Sequence, residues 1–288
     1  MNSDHVLGLG SKGFHRIHYT DWGDPGAERI VICVHGLTRN GHDFDDLARA
    51  LAPDFRVVCP DIAGRGRSDW LHAKEDYGYP QYCADMTALI ARVTAGGKPR
   101  AIHWVGSSMG GIIGMLLASR PNSPIVRLVL NDVGTVIPKA ALERIGAYVG
   151  TDPRFKTLDE LEAMVRIVCA PFGPLTDAQW RHLTETGAKQ HEDGTWGLRY
   201  DPGIGIPFQK GPLADVDLWP LWDTIACPTL LLAPDSSPFV PLALPVEARG
   251  LVPGAELMTF PGARHGLACS HGAACAVALR AFLARRCG

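Results

Sequence analysis

The feature that most constrains this chain is a rhythm of short apolar runs, rich in Val, Ile and Leu, each closing on a turn signal. They read RIVICVHG (29–36), FRVVCPD (55–61), AIHWVGSS (101–108), IVRLVLND (125–132), PTLLLAPD (228–235) and AELMTFPG (255–262). Short continuous runs of this kind predict strands buried on both faces. An earlier stretch, FHRIHYTDWG (14–23), alternates more and predicts an exposed antiparallel strand at the sheet edge. Helical spacing fills the gaps in DFDDLARALA (43–52), YCADMTALIARVTA (82–95) and MGGIIGMLLASR (109–120). Buried strand alternating with helix is the signature of an α/β fold with a parallel, doubly wound sheet.

The rhythm breaks between residues 135 and 220. PKAALERIGAYVG, TLDELEAMVRIVCA and TDAQWRHLTETGAKQ each have helical spacing, and a stretch rich in Gly and Pro follows, DPGIGIPFQKGP (201–212). About 85 residues with helices of their own are too many for a connecting loop. The expectation is a core domain from 1–134 and 221–288, with 135–220 inserted as a helical cap.

Composition narrows the classes of function. The chain has 288 residues, is 46% hydrophobic and 20% charged, and carries a formal net charge of -2 with no basic stripe. That argues for a large soluble core and against nucleic acid as a partner. The opening MNSDHVLGLGSKG lacks the basic and apolar regions of a secretory signal, and no apolar stretch approaches the roughly 20 residues of a membrane span. The eight cysteines are scattered, with no metal-ligand spacing. Several lie within apolar runs, where free Cys packs as a small hydrophobe. A reducing, cytoplasmic setting is expected, with no membrane partner.

Gly106-Ser107-Ser108-Met109-Gly110 matches G-x-S-x-G. The match alone is weak, but it closes an apolar strand and opens an apolar helix, the setting of a nucleophile elbow. Register selects Ser108, which alone has Gly at both minus two and plus two. Ser107 is read as its packed or hydrogen-bonded neighbour. A serine needs a base to become nucleophilic. His265, in FPGARHGLACS, follows the last strand-like run and is the candidate. His271 is read as a helix-start residue, His103 as a core residue of the strand before the elbow, and His35 as a brace of its loop. His182 and His191 fall in the cap.

The motifs VHGLTRN, PDIAGRGRSDW, GSSMGG, LVLNDVG and GARHG occur in an order that resembles the α/β-hydrolase superfamily, in its capped esterase and carbon–carbon hydrolase branch. The likeness runs from about residue 15 to the end, apart from the cap. It implies the α/β-hydrolase fold, a mostly parallel eight-stranded sheet flanked by helices, and a Ser–acid–His triad in that chain order. It also implies an oxyanion hole from the backbone N–H of Met109, after the nucleophile, and of Leu37, in the early glycine turn.

Two carboxylates compete as the acid that orients His265. In the family the usual place is the turn after the run 228–235. There this sequence has Ser237 at the aligned position and Asp235 two residues early. Asp132, closing LVLND one helix and one strand after Ser108, is preferred, with Asp235 as the alternative. Asp61 is read as structural, and Asp21 and Asp24 as solvated.

These residues predict a serine hydrolase that cleaves carboxylic esters of small to medium apolar acyl or aromatic groups through an acyl-enzyme. The same triad serves a carbon–carbon bond hydrolase of meta-cleavage-type diketones, and the fold also occurs in ligand-binding receptors. Phe172, Trp180 and Phe208, with Phe155, Val168 and Trp196, are candidates for an apolar substrate pocket in the cap, with core packing as the alternative for each. No Cys/His or carboxylate cage suggests a metal, and neither a metal nor an organic cofactor is expected. The expected partner is a small-molecule substrate.

Overall fold

The computed structural model describes residues 1–96, 100–234, 255–260 and 264–285. Its strands are β1 (Asn2–Gly10), β2 (Gly13–Trp22), β3 (Arg29–Val34), β4 (Arg56–Pro60), β5 (Ala101–Ser107), β6 (Ile125–Asn131), β7 (Val136–Ile137), β8 (Ala188–Gln190), β9 (Trp196–Leu198), β10 (Val216–Asp217), β11 (Thr229–Pro234) and β12 (Glu256–Phe260). Eight of them make one sheet in the order β1-β2-β4-β3-β5-β6-β11-β12. All neighbours from β4 to β12 run parallel, while β2 lies antiparallel to both β1 and β4. The α/β-hydrolase fold expected from the motifs is the fold the chain adopts.

The apolar runs are continuous because both faces of the sheet are covered. On β3, Ile30, Ile32 and Val34 point into one core, and Val31 and Cys33 into the other. The first core is closed by Met86 and Leu89 of α2 (Tyr79–Thr94) and by Ile113 of α3 (Met109–Ala118). Leu47 and Leu51 of α1 (Asp45–Leu51) close the second. All five β3 side chains are fully buried, and each aliphatic one contributes roughly 1.5–3 kcal/mol on leaving water.

Two expectations about the sheet edges are corrected. The strand foreseen at 14–23 is antiparallel, but it is not the edge. β1 pairs along its whole length, from Asn2 opposite Asp21 to Gly10 opposite Gly13. At the far side, the run 255–262 is not buried on both faces. Among the described residues β12 pairs only with β11, and Met258 and Thr259 are exposed.

Between β6 and β11 lie α4 (Lys139–Gly146), α5 (Leu158–Val168) and α6 (Asp177–Gly187). β7 pairs with β10, and β8 with β9. Helix α6 starts on a capping box: Thr176 accepts from Gln179 N–H, and the Gln179 side chain accepts from Thr176 N–H. Leu161 and Val165 of α5 meet Trp180 and Leu183 of α6 in a small core of their own. α7 (Trp219–Trp222) leads from β10 back to β11, and beyond β12 come α8 (Leu267–Ser270) and α9 (Gly272–Leu283). Leu279 and Phe282 of α9 join α1 against the second face of the sheet. Among the described residues no helix is long and apolar enough to cross a membrane.

Candidate active site

β5 ends at Ser107 and α3 begins at Met109, so Ser108 makes the whole turn between them. Its backbone sits at φ 51, ψ -115, a strained region for a residue with a side chain, worth on the order of 1–3 kcal/mol. Hydrogen bonds hold it there. Ser108 N–H donates to Asn131 O at 3.0 Å, and Gly111 and Ile112 N–H donate to Ser108 O at 2.9 and 3.1 Å. The flanking glycines are required by contact. A Cβ on Gly106 would lie 2.3 Å from Gly110 O, and one on Gly110 would lie 2.1 Å from Val34 O. The elbow is thus wedged against β3 at backbone distance, which is the physical content of the G-x-S-x-G pattern.

Asp132 follows directly on β6 with φ 46, and its N–H donates to Leu232 O of β11 at 3.1 Å. Its buried carboxylate accepts from His265 Nδ1 at 2.5 Å. His265, just before α8, is anchored by its own N–H on Pro171 O at 3.1 Å. Phe172 stacks obliquely against its ring, 5.6 Å between centroids. With the Nδ1 proton held by a carboxylate, Nε2 is the nitrogen that can take up a proton. Ser108 and His265 line one cleft together with His35, Gly36, Leu37, Phe172 and others. The structure therefore brings Ser108, His265 and Asp132 to one place, while Asp235 lies outside the described residues.

The loop that carries Leu37 abuts the elbow, since a Cβ on Gly36 would sit 3.7 Å from Ser108 Cβ. His35 braces this loop. Its Nε2 accepts from Ile62 N–H at 2.9 Å, so Nδ1 carries the proton and donates to Gly36 O at 2.7 Å. Burial pushes its pKa down to about 4, which keeps it neutral. Arg65, fully buried, reaches both the Leu37 loop and the elbow. Its Nε donates to Leu37 O at 2.8 Å and its Nη2 to Met109 Sδ at 3.7 Å. The N–H groups of Leu37 and Met109 have no hydrogen-bond acceptor among the described residues. Asp61 is structural. Burial opposes its charge, but His18 and the N–H groups of Arg67 and Gly41 hold its carboxyl below the usual range.

Sequence reasoning overlooked Asn131. Its Nδ2 donates to Ser107 Oγ at 2.8 Å and to His265 O at 3.2 Å. Arg65 was also overlooked; it stands between Gly64 and Gly66 in a loop read only for Asp61. Of the aromatic candidates, Phe172 lines the cleft, with Val168. Trp180 does not: it is on the buried face of α6, packed on α5. Phe208 packs against the main core beside Gly146, and Phe155 and Trp196 pack within the insertion. His103 is buried in β5 against Phe55, and His271 stands at the start of α9.

Comparison with known proteins points the same way. Residues 29–269 match a family model described as alpha/beta hydrolase fold. A 3-hydroxybutyrate-oligomer hydrolase from Cupriavidus necator is 47% identical over 228 residues, covering 76% of each chain. A bifunctional esterase/perhydrolase from Acinetobacter calcoaceticus is 24% identical over 273 residues, covering 87% of this chain and 90% of the other. The crystal structure of an alpha/beta hydrolase from Novosphingobium aromaticivorans superposes with a TM-score of 0.84 at 32% identity, covering 99% of both chains.

Proposed function

Because the chain belongs to the α/β-hydrolase family and is a carboxylic ester hydrolase, we propose that it cleaves short oligomeric esters of hydroxy acids, of the kind named for its Cupriavidus relative, with Ser108 as nucleophile, His265 as base and Asp132 as the orienting acid. The observation that carries the reading is the His265–Asp132 hydrogen bond within the cleft that also holds the strained Ser108. His265 Nε2 takes the Ser108 proton as Oγ attacks the ester carbonyl, and returns it to the leaving alkoxide. The N–H groups of Leu37 and Met109 receive the oxyanion; removing one such donor typically costs about 3 kcal/mol of transition-state stabilisation. Water activated by the same histidine then releases the acid.

The segment 135–220 serves as a cap over the core formed by 1–134 and 221–288, and Phe172 and Val168 line the substrate site from it. The partner is a small-molecule substrate. A reducing, cytoplasmic setting is supported by Cys33, Cys59, Cys83, Cys169 and Cys269, which form no disulfide among the described residues. The test is hydrolysis of the 3-hydroxybutyrate dimer by wild type, Ser108→Ala and Asp132→Asn. Ser108→Ala abolishes turnover. Asp132→Asn lowers it by roughly 10⁴-fold, the effect of presenting the wrong histidine tautomer. Wild-type activity in either variant sinks the assignment. A ring-cleavage diketone used in parallel separates ester from carbon–carbon cleavage, since loss of its yellow colour at a matching rate would favour the latter.

A further inference from the structure

Two hollows meet beside Ser108. The first contains Ser108, His265 and Phe172. The second is walled by apolar side chains, Met164 and Val165 of α5 and Leu198 of β9. Thr38, Arg39 and Tyr148 line both, and so stand where one hollow passes into the other.

Each of these three side chains keeps a donor without a protein partner among the described residues. Arg39 is 6% exposed. Its Nε donates to both Asp43 oxygens at 3.1 Å, and its Nη2 donates to Asp43 Oδ1 at 2.7 Å and to Leu183 O at 3.2 Å. Nη1 has no hydrogen-bond partner among the described residues, and neither have the hydroxyls of Thr38 and Tyr148. Burial pushes the Tyr148 hydroxyl up to about 12, so it keeps its proton. Arg39 is buried and Thr38 and Tyr148 are half-buried, and the three groups open onto the cleft, where a ligand can reach them. Here a guanidinium N–H, a phenol and an alcohol, all able to donate, converge between apolar walls. The group that completes them is an acceptor with two oxygens. Asp43 fixes the guanidinium in advance, so little ordering remains for a ligand to impose.

We propose that Thr38, Arg39 and Tyr148 form a subsite for a second carboxyl group of the substrate, an ester carbonyl or a terminal carboxylate, and that the hollow walled by Met164, Val165 and Leu198 takes the hydrocarbon beyond it. This rests on the ester-hydrolase reading and narrows it to esters that carry another carboxyl along the chain. An enzyme built this way discriminates oligomeric esters from simple ones by binding, without a change at Ser108.

The experiment compares kcat/KM for three esters: the 3-hydroxybutyrate dimer, its methyl ester, and sec-butyl 3-hydroxybutyrate, which has a methyl where the dimer has its second carboxyl. Wild type, Tyr148→Phe and Arg39→Lys are assayed on all three. Wild type should prefer one or both carboxyl-bearing esters over the sec-butyl ester by at least about tenfold, through KM, the worth of one or two well-made hydrogen bonds. Preference for the acid over its methyl ester identifies a carboxylate as the ligand; equal treatment identifies a carbonyl. In both variants the preference should shrink at least about threefold. A purely structural role would lower all three esters together and leave the ratio intact, which would overturn the subsite. Equal wild-type efficiency on all three esters also overturns it, and leaves the ester-hydrolase reading standing. Failure of wild type to cleave any of the three overturns both.

Discussion

At the scale of single residues, the side chain that most repays attention is Asn131. Its backbone carbonyl accepts from Ser108 N–H, and its side-chain amide nitrogen donates to both Ser107 Oγ and His265 O. The side chain therefore ties the residue before the proposed nucleophile to the backbone of the proposed base. Replacing it with Leu, which matches its shape and cannot donate, should leave KM nearly unchanged and lower kcat by roughly 10–100-fold, because small misplacements of a reacting group are expensive in rate. A kcat within twofold of wild type would remove Asn131 from this role. The residue was invisible in the sequence for a physical reason: its partner His265 lies 134 positions away, and an Asn at a strand end has many uses. Ser108, His265 and Asp132 were legible because the proposed chemistry demands those residue types at strand ends in a fixed order. For Trp180 and Phe208 pocket and core stayed open in the sequence, because an aromatic at helical spacing fits either, and both pack into cores.

At the scale of elements, the buried strands announced themselves. A strand covered on both faces reads as a near-continuous apolar run, and β3 to β6 with β11 do so, with Arg56, His103, Arg127, Asn131 and Thr229 as buried polar exceptions. The edges were the hard part, because an edge strand has only one neighbour and a weaker pattern. β1 leaves Leu7 and Leu9 in solvent, and β12 has the composition of a core strand at an exposed place. The junction of β5 and α3 is the most sharply specified element pair, since Gly110 touches the backbone of β3. Gly110→Ala should force the helix off the sheet. Overpacking of this kind typically costs about 1–3 kcal/mol and sometimes more, and here the obstructing atom is a carbonyl oxygen that cannot rotate away. A drop in the urea midpoint, with loss of ester hydrolysis in the protein that remains folded, checks it. An unchanged midpoint would show that the elbow tolerates a side chain.

At the scale of the whole molecule, two buried neutral histidines set the response to acid. His35 and His103 both have pKa values lowered to about 4, chiefly by burial, with Arg127 and Arg29 adding to the effect at His103. An unfolded histidine titrates near 6.5. Between these values the unfolded chain binds protons that the folded chain refuses, so stability is fully present above about pH 6.5 and is lost as the pH falls towards 4. Each group contributes on the order of 3 kcal/mol to that loss. His182 acts in the opposite sense. Its hydrogen bond to Asp45 raises its pKa, so its contribution is present at low pH and disappears as the pH rises, but it is half in solvent and correspondingly weak. The Asp61 carboxyl, held below its ordinary range, matters only under more acid conditions. His103 offers a clean test. Its ring stands edge-on to Phe55, with centroids 6.0 Å apart, and neither of its nitrogens has a partner among the described residues. His103→Phe keeps an aromatic ring in place and removes two unsatisfied polar atoms. It should raise stability at pH 7 by about 1 kcal/mol and flatten the decline of Tm between pH 6.5 and 4.5. His35 cannot be exchanged so freely, because both its nitrogens are spent on the loop that carries Leu37. If Tm of His103→Phe declines with acid as steeply as that of wild type, the proton uptake that drives the loss lies elsewhere.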